Sequence, residues 1–70
     1  MTLHDYLTTQ VHRDDPVGDL ARDYTEGLRI GVHPPMTTVA AFRTHLEHAG
    51  APRKVLEALE MTRSEMEDCR

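Results

Sequence analysis

The groups with most chemical capacity in this chain are carboxylates and imidazoles. Asp15, Asp19 and Asp23 recur every four residues, a spacing that sets three carboxylates along one face of a helix. Such a row can ligate a hard cation or act as general acid and base, but both tasks need further ligands or a cleft, which one exposed helix does not supply. Plainer work is open to each residue. Asp15 can cap a helix, Asp19 can complement the positive end of its dipole, and Asp23 can stand in solvent; together the three can offer an acidic surface to a basic partner. His45 and His48, spaced i, i+3, can share a metal only with a third ligand, and no Cys pair or His-Glu-x-x-His run accompanies them. The single serine, Ser64, lies in an acidic tail, and the chain has neither a phosphate loop nor a nucleophile elbow. The expectation is a protein that is not an enzyme, with no cofactor and no metal.

The cations are arranged less evenly than the total suggests. The formal net charge is -4, but residues 1 to 26 hold six acidic side chains against two basic ones. From 27 to 56 the balance reverses, with Arg29, Arg43, Arg53 and Lys54 facing only Glu47, and from 57 to 70 it is acidic again. Arg53 and Lys54 fall in the first turn of an expected helix, where the dipole makes cations mildly unfavourable. Their placement suggests either a basic docking face shared with Arg43 or two solvated side chains kept for solubility. An acidic chain is a poor general ligand for nucleic acid, because non-specific affinity comes from neutralising phosphates, although a local basic face can still do so.

These side chains must be positioned by a small fold. Seventy residues at 39% hydrophobic and 29% charged, with a mean hydropathy of -0.54, describe one small globular domain and exclude a two-domain enzyme. No run is long and apolar enough to span a membrane, and the start has no signal-peptide pattern, so a cytoplasmic protein is expected. One cysteine, Cys69, cannot close a disulfide within the chain, and its place near the end argues against a structural or catalytic task. With no Trp, one Phe and two Tyr, the core has to be largely aliphatic.

Apolar spacing and caps give four helices in an all-α bundle. Leu3, Tyr6, Leu7 and Val11 predict a first helix over 3 to 10, capped by Thr2. Asp15 and Pro16 open a second over 16 to 26, with Val17, Leu20, Ala21, Tyr24 and Leu28 on one face and Gly27 as its left-handed C-cap. Gly18 inside that helix costs about 1 kcal/mol relative to Ala, and close approach of another helix is the expected reason. Arg13, just before the cap, is expected to bond Asp14, Asp23 or a loop carbonyl, or to reach a partner. The following loop is expected to be ordered only if Leu28 and Ile30 pack. Thr37 or Thr38 caps a third helix with Val39, Phe42, Leu46 and Ala49 inward and Arg43 and Glu47 outward, and Gly50 stops it. Pro52 opens a fourth, with Val55, Leu56, Leu59 and Met66 buried, fraying after Glu65 so that residues 66 to 70 are loose.

The run Leu3-His4-Asp5-Tyr6-Leu7-Thr8-Thr9-Gln10, followed by Arg13-Asp14-Asp15-Pro16-Val17-Gly18-Asp19-Leu20-Ala21, resembles the signature of the YozE family. These are small bacterial proteins with a helical fold like that of sterile alpha motif (SAM) domains. The Arg-Asp-Asp-Pro-Val-Gly-Asp-Leu-Ala string is the specific part. Tyr6 stands where the family favours Trp, Leu3 where it favours an aromatic, and His33-Pro34-Pro35 where Phe-Pro is usual. His45-Leu46-Glu47 is a loose match to a later Tyr-Leu-Glu segment. The resemblance implies a four-helix SAM-like bundle and, since members are largely uncharacterised, little about activity. It also implies that a basic surface at the start of the last helix can pair with an acidic one on the middle helices of a neighbour. The expected function is therefore an interaction module that docks an unknown protein through Asp15, Asp19 and Asp23 or through Arg43, Arg53 and Lys54. If these faces lie on different sides of the bundle, weak head-to-tail self-association follows. The alternative is a nucleic-acid accessory factor that uses Arg29, Arg43, Arg53 and Lys54.

Overall fold

Short side chains that compete for backbone amides decide where the helices begin. Thr2 Oγ1 accepts from the Asp5 amide at 3.1 Å and the Asp5 carboxylate accepts from the Thr2 amide at 3.3 Å, a reciprocal cap. Asp15 accepts from the Gly18 amide at 2.9 Å and Thr38 Oγ1 from the Ala41 amide at 3.1 Å. In a computed structural model that describes residues 1–68, these caps open α1 (Leu3–Thr8), α2 (Pro16–Arg29) and α3 (Val39–His48). The Pro52 carbonyl, accepting from Val55 at 3.0 Å, precedes α4 (Arg53–Asp68). The described residues contain no strand, so the chain is an all-α four-helix bundle.

The helix ends differ from expectation in instructive ways. α1 stops at Thr8, because the Thr9 and Gln10 amides turn back to Tyr6 and Leu7 rather than extending the α ladder. α2 runs through Gly27 to Arg29. The left-handed residue is Gly31, at φ 78°, with Val32 N–H donating to the Gly27 carbonyl at 2.8 Å and Gly31 N–H to that of Leu28 at 3.2 Å. Gly27 serves packing instead: a Cβ there would lie 2.5 Å from His33 Nε2. Gly50, at φ 72°, closes α3 in the same way, through Ala51 N–H to Leu46 and Gly50 N–H to Glu47. α4 stays helical to Asp68, past the expected fraying point; Cys69 and Arg70 lie outside the described residues.

The core joins all four helices. Leu3 and Leu7 of α1, Leu20, Ala21 and Tyr24 of α2, Phe42 of α3, and Ala58 and Leu59 of α4 are buried with Met36 from the α2–α3 loop. Ala49, expected inward, caps α3 in an exposed position. In α4, Val55, Leu56 and Met66 are only half-buried, while Thr62 is fully buried and its hydroxyl donates to the Ala58 carbonyl at 2.9 Å. That return to its own backbone lets a polar residue occupy the inner face. Among the described residues, no helix is long and apolar enough to cross a membrane.

Tyr24 organises the loop. Its ring packs edge-on to Phe42 at 5.2 Å and tilts against His33 at 5.1 Å. Its hydroxyl accepts from the Met36 amide at 2.9 Å and hydrogen-bonds His4 Nδ1 at 2.7 Å. The Leu3 amide adds a 3.1 Å bond to the Thr37 carbonyl. Leu28 packs on the core as expected, but Ile30 and Val32 are 57% and 60% exposed. His33 and Met36 order this loop in place of Ile30.

Phe42 is the sole Phe and is buried against Tyr24, His33 and His45. Phe42→Ala should cost about 3–5 kcal/mol, a large share of the stability of so short a chain. Thermal denaturation should find the variant largely unfolded; a cooperative melt within a few degrees of the parent would contradict this packing.

Candidate functional site

Two polar arrangements bear on function, and the first explains the most distinctive stretch of sequence. Arg13 donates through Nε and NH2 to Asp15 Oδ2 at 2.9 and 2.7 Å, and through NH1 to Gln10 Oε1 at 3.1 Å. The same guanidinium meets Glu65 of α4 in a two-oxygen pair, at 2.6 Å to Oε1 and 3.0 Å to Oε2. Tyr6 O–H donates to Glu65 Oε1 at 2.6 Å. Neither Asp14 nor Asp23, the side chains expected to pair with Arg13, bonds it among the described residues. One planar cation thus ties the α1–α2 loop, the cap of α2 and the C-terminal half of α4 together.

Electrostatics follow the geometry. Hydrogen bonds from Arg13, with a smaller contribution from Tyr6, hold the Glu65 carboxyl below its ordinary value. The Gly18 amide and then Arg13 do the same for Asp15. Arg13 is in turn held in its charged form more firmly than a free guanidinium, by Glu65 first and Asp15 second. Gly18 completes the clamp. A Cβ there would sit 1.9 Å from the Arg13 carbonyl oxygen, so the neighbour that requires glycine is the loop backbone rather than another helix. That carbonyl and the one of Val11 each accept from Arg22 NH1 at 2.8 Å.

The second arrangement is a groove of about 380 Å³ between α2 and α4. Pro16 and Leu20 of α2 and Val55, Ala58 and Met61 of α4 provide its apolar lining, and Met61 is 44% exposed. Asp19 and Asp23 line it from α2, and Lys54 and Glu57 from α4. The acidic row is therefore divided: Asp15 is spent on the cap and on Arg13, while Asp19 and Asp23 reach the groove. Asp19 pairs with Arg22. Lys54 shares the site with these acids, so the expected separation of acidic and basic faces does not hold for it.

The rest of the basic block is internally paired. Arg29 bonds Glu26, Arg43 bonds Glu60 at 2.7 Å and lies 3.6 Å from Glu47, and Arg53 bonds Glu57 at 3.1 Å. His45 stacks on Phe42 and meets His33 edge-on at 5.1 Å, whereas His48 is exposed, so the two histidines do not act as a pair. Among the described residues, no three His, Cys, Asp or Glu side chains are grouped to hold a metal. Glu57 and Met61 were not expected at a site; their offsets of three and seven from Lys54 are the helical signal that places them on its face. Glu65 lies 52 residues from Arg13 and carried no such signal. Compared with family models, with curated proteins and with solved structures, the chain shows no match.

Two outcomes test the clamp. Helix propensity alone favours Gly18→Ala by about 1 kcal/mol, but the clash with the Arg13 carbonyl should reverse the sign, and urea unfolding should find the variant less stable than the parent. A gain in stability would contradict the clamp. Because the folded values of Glu65 and Asp15 are lowered, their contribution is full above the ordinary values of 4.5 and 3.8 and is lost as pH falls through the lower folded ones. Denaturant midpoints should fall as the solution is acidified below this range, with a shallower decline in Glu65→Gln; equal slopes for parent and variant would exclude Glu65 as a contributor.

Proposed function

We propose that this chain is a non-enzymatic interaction module that docks another protein through the α2–α4 groove. The observation that carries the reading is the convergence of Asp19, Asp23 and Lys54 on one groove with an apolar lining. Apolar concavities edged by a few placed charges are where binding energy and specificity combine, since the floor supplies area and the rim selects. Of the expected docking residues, Asp15 serves the fold, and Arg43 and Arg53 are held by carboxylates of this chain. The reading therefore centres on Asp19, Asp23 and Lys54.

We also read the chain as a YozE-type protein with a SAM-like bundle, hence bacterial and working in the cytoplasm. The support is that Arg13, Asp15, Pro16 and Gly18, the specific residues of the resemblance, form one cap and clamp rather than four unrelated features. A nucleic-acid role for Arg29, Arg43, Arg53 and Lys54 has less support. Three of the four would have to release a carboxylate before neutralising a phosphate, which reduces the gain from counterion release. Head-to-tail self-association also has less support, because Lys54 lies beside the acids it was to meet on a neighbour.

Immobilised protein should retain a specific partner from its native lysate, Met61→Asp should lose it, and Arg29→Gln, outside the groove, should keep it. Equal retention by Met61→Asp would overturn the docking site. Gel shift on random duplex at low salt should show no micromolar binding, while a salt-sensitive shift would favour the nucleic-acid reading.

A further inference from the structure

The groove carries more information than its apolar lining, because its two rims are charged differently. On the α2 rim, Asp19 shares its carboxylate with Arg22, but Asp23, one turn on, has no ion pair among the described residues. On the α4 rim, Glu57 is held by Arg53, but Lys54 has no carboxylate within ion-pair distance among the described residues. Asp23 and Lys54 line the same groove with opposite charge, yet they do not pair with each other. Each rim thus keeps one uncommitted charge, and the two signs differ.

The lining also limits what backbone can lie there. On α2 it extends from Pro16 to Asp23 and on α4 from Lys54 to Met61, about 11 Å or two helical turns on each side. The walls are helices, so they offer no strand edge to an incoming chain. An extended peptide would press its own amides against Leu20, Val55, Ala58 and Met61 without partners, whereas a helix brings its hydrogen bonds with it. A second copy is a poor occupant. Among the described residues the exposed large apolar side chains are Met1, Ile30, Val32 and Met61, of which Met61 alone lies within a helix. The flexible thioether of Met61 at the rim can adjust to the side chain that enters.

We infer that the groove takes an amphipathic helical segment of a partner protein. This segment places two apolar side chains one turn apart on the floor, an Arg or Lys beside Asp23 and a carboxylate beside Lys54. The inference rests on the docking reading above and adds the partner's secondary structure and charge order. Opposite charges on opposite rims make the site directional, since a segment bound in the reverse sense would set like charges together.

The probe is a displayed library of random peptides about 14 residues long, or roughly four turns, selected on the full chain. Recovered peptides are then synthesised and titrated against the parent and against Asp23→Lys, Lys54→Glu and Met61→Asp, each first checked for a parental helical spectrum and cooperative melt. Selection should recover helical sequences with apolar residues three or four apart, flanked by a base on one side and an acid on the other. Each rim reversal should weaken the selected peptide at least about tenfold, and a peptide with the matching charge reversed should regain most of that loss. Peptides that need Met61 but ignore both rim reversals would overturn the charge order and leave the docking groove standing. Recovery of extended, helix-breaking sequences would overturn the helical occupant. Failure to select any peptide that Met61→Asp disrupts would overturn both the inference and the docking site.

Discussion

The guanidinium of Arg13 is the constraint on which the rest of this small bundle turns. A chain with no intrachain disulfide available and an aliphatic core must fix a six-residue helix and a seven-residue loop by other means. Arg13 does so because its donors fan out in one plane and meet acceptors from three places: Gln10 before it, Asp15 after it and Glu65 far along the chain. The pair with Glu65 is half-buried and reinforced by Tyr6, so it orders α4 against α1 and the cap of α2 together. Gly18 is the steric counterpart. The loop can pass close enough for Arg13 to reach both carboxylates only because α2 carries no Cβ where the Arg13 carbonyl lies.

A second centre does for the α2–α3 loop what Arg13 does for the first. Tyr24 presents an apolar ring to Phe42 and His33 and a hydroxyl to the Met36 amide and His4. A buried tyrosine that finds partners at its polar tip gives packing and direction at once. His33 fits beside it because Gly27 leaves room on the helix, and its Nδ1 meets the Pro34 carbonyl at 2.9 Å. The two prolines then follow on an exposed path.

These two centres also mark the limit of what the sequence discloses. The four helices were legible because caps and apolar periods are local: Thr2, Asp15-Pro16 and Thr38 act within three residues of themselves. Tyr24 and Phe42 were legible as core for the same reason. Gly27 and Gly31 were not distinguishable, since either is an acceptable stop and the choice falls to the His33 ring, six residues beyond Gly27. Thr62 was missed because its type is polar and its partner is its own backbone. The acidic row was visible as a row, but not that Asp15 leaves it for Arg13 while Asp19 and Asp23 reach a groove. That division depends on where α4 lies, and no local pattern in residues 15 to 23 encodes it.

The pairing of surface charge explains why the groove, rather than the basic block, carries the functional reading. Most guanidiniums of the described chain sit against a carboxylate three or four residues away or on the next helix, as in Arg22–Asp19, Arg29–Glu26, Arg43–Glu60 and Arg63–Glu67. Each such pair adds little stability when exposed, but it cancels its own field within a short distance and leaves little to steer a partner. An uncommitted charge then matters more than its number suggests. Among the described residues Asp23 and Lys54 are of that kind, and they line one concavity with an apolar floor. The blocks of charge in the sequence are thus largely spent on the protein itself, and where α2 packs on α4, Asp23 and Lys54 are left without an ion pair among the described residues.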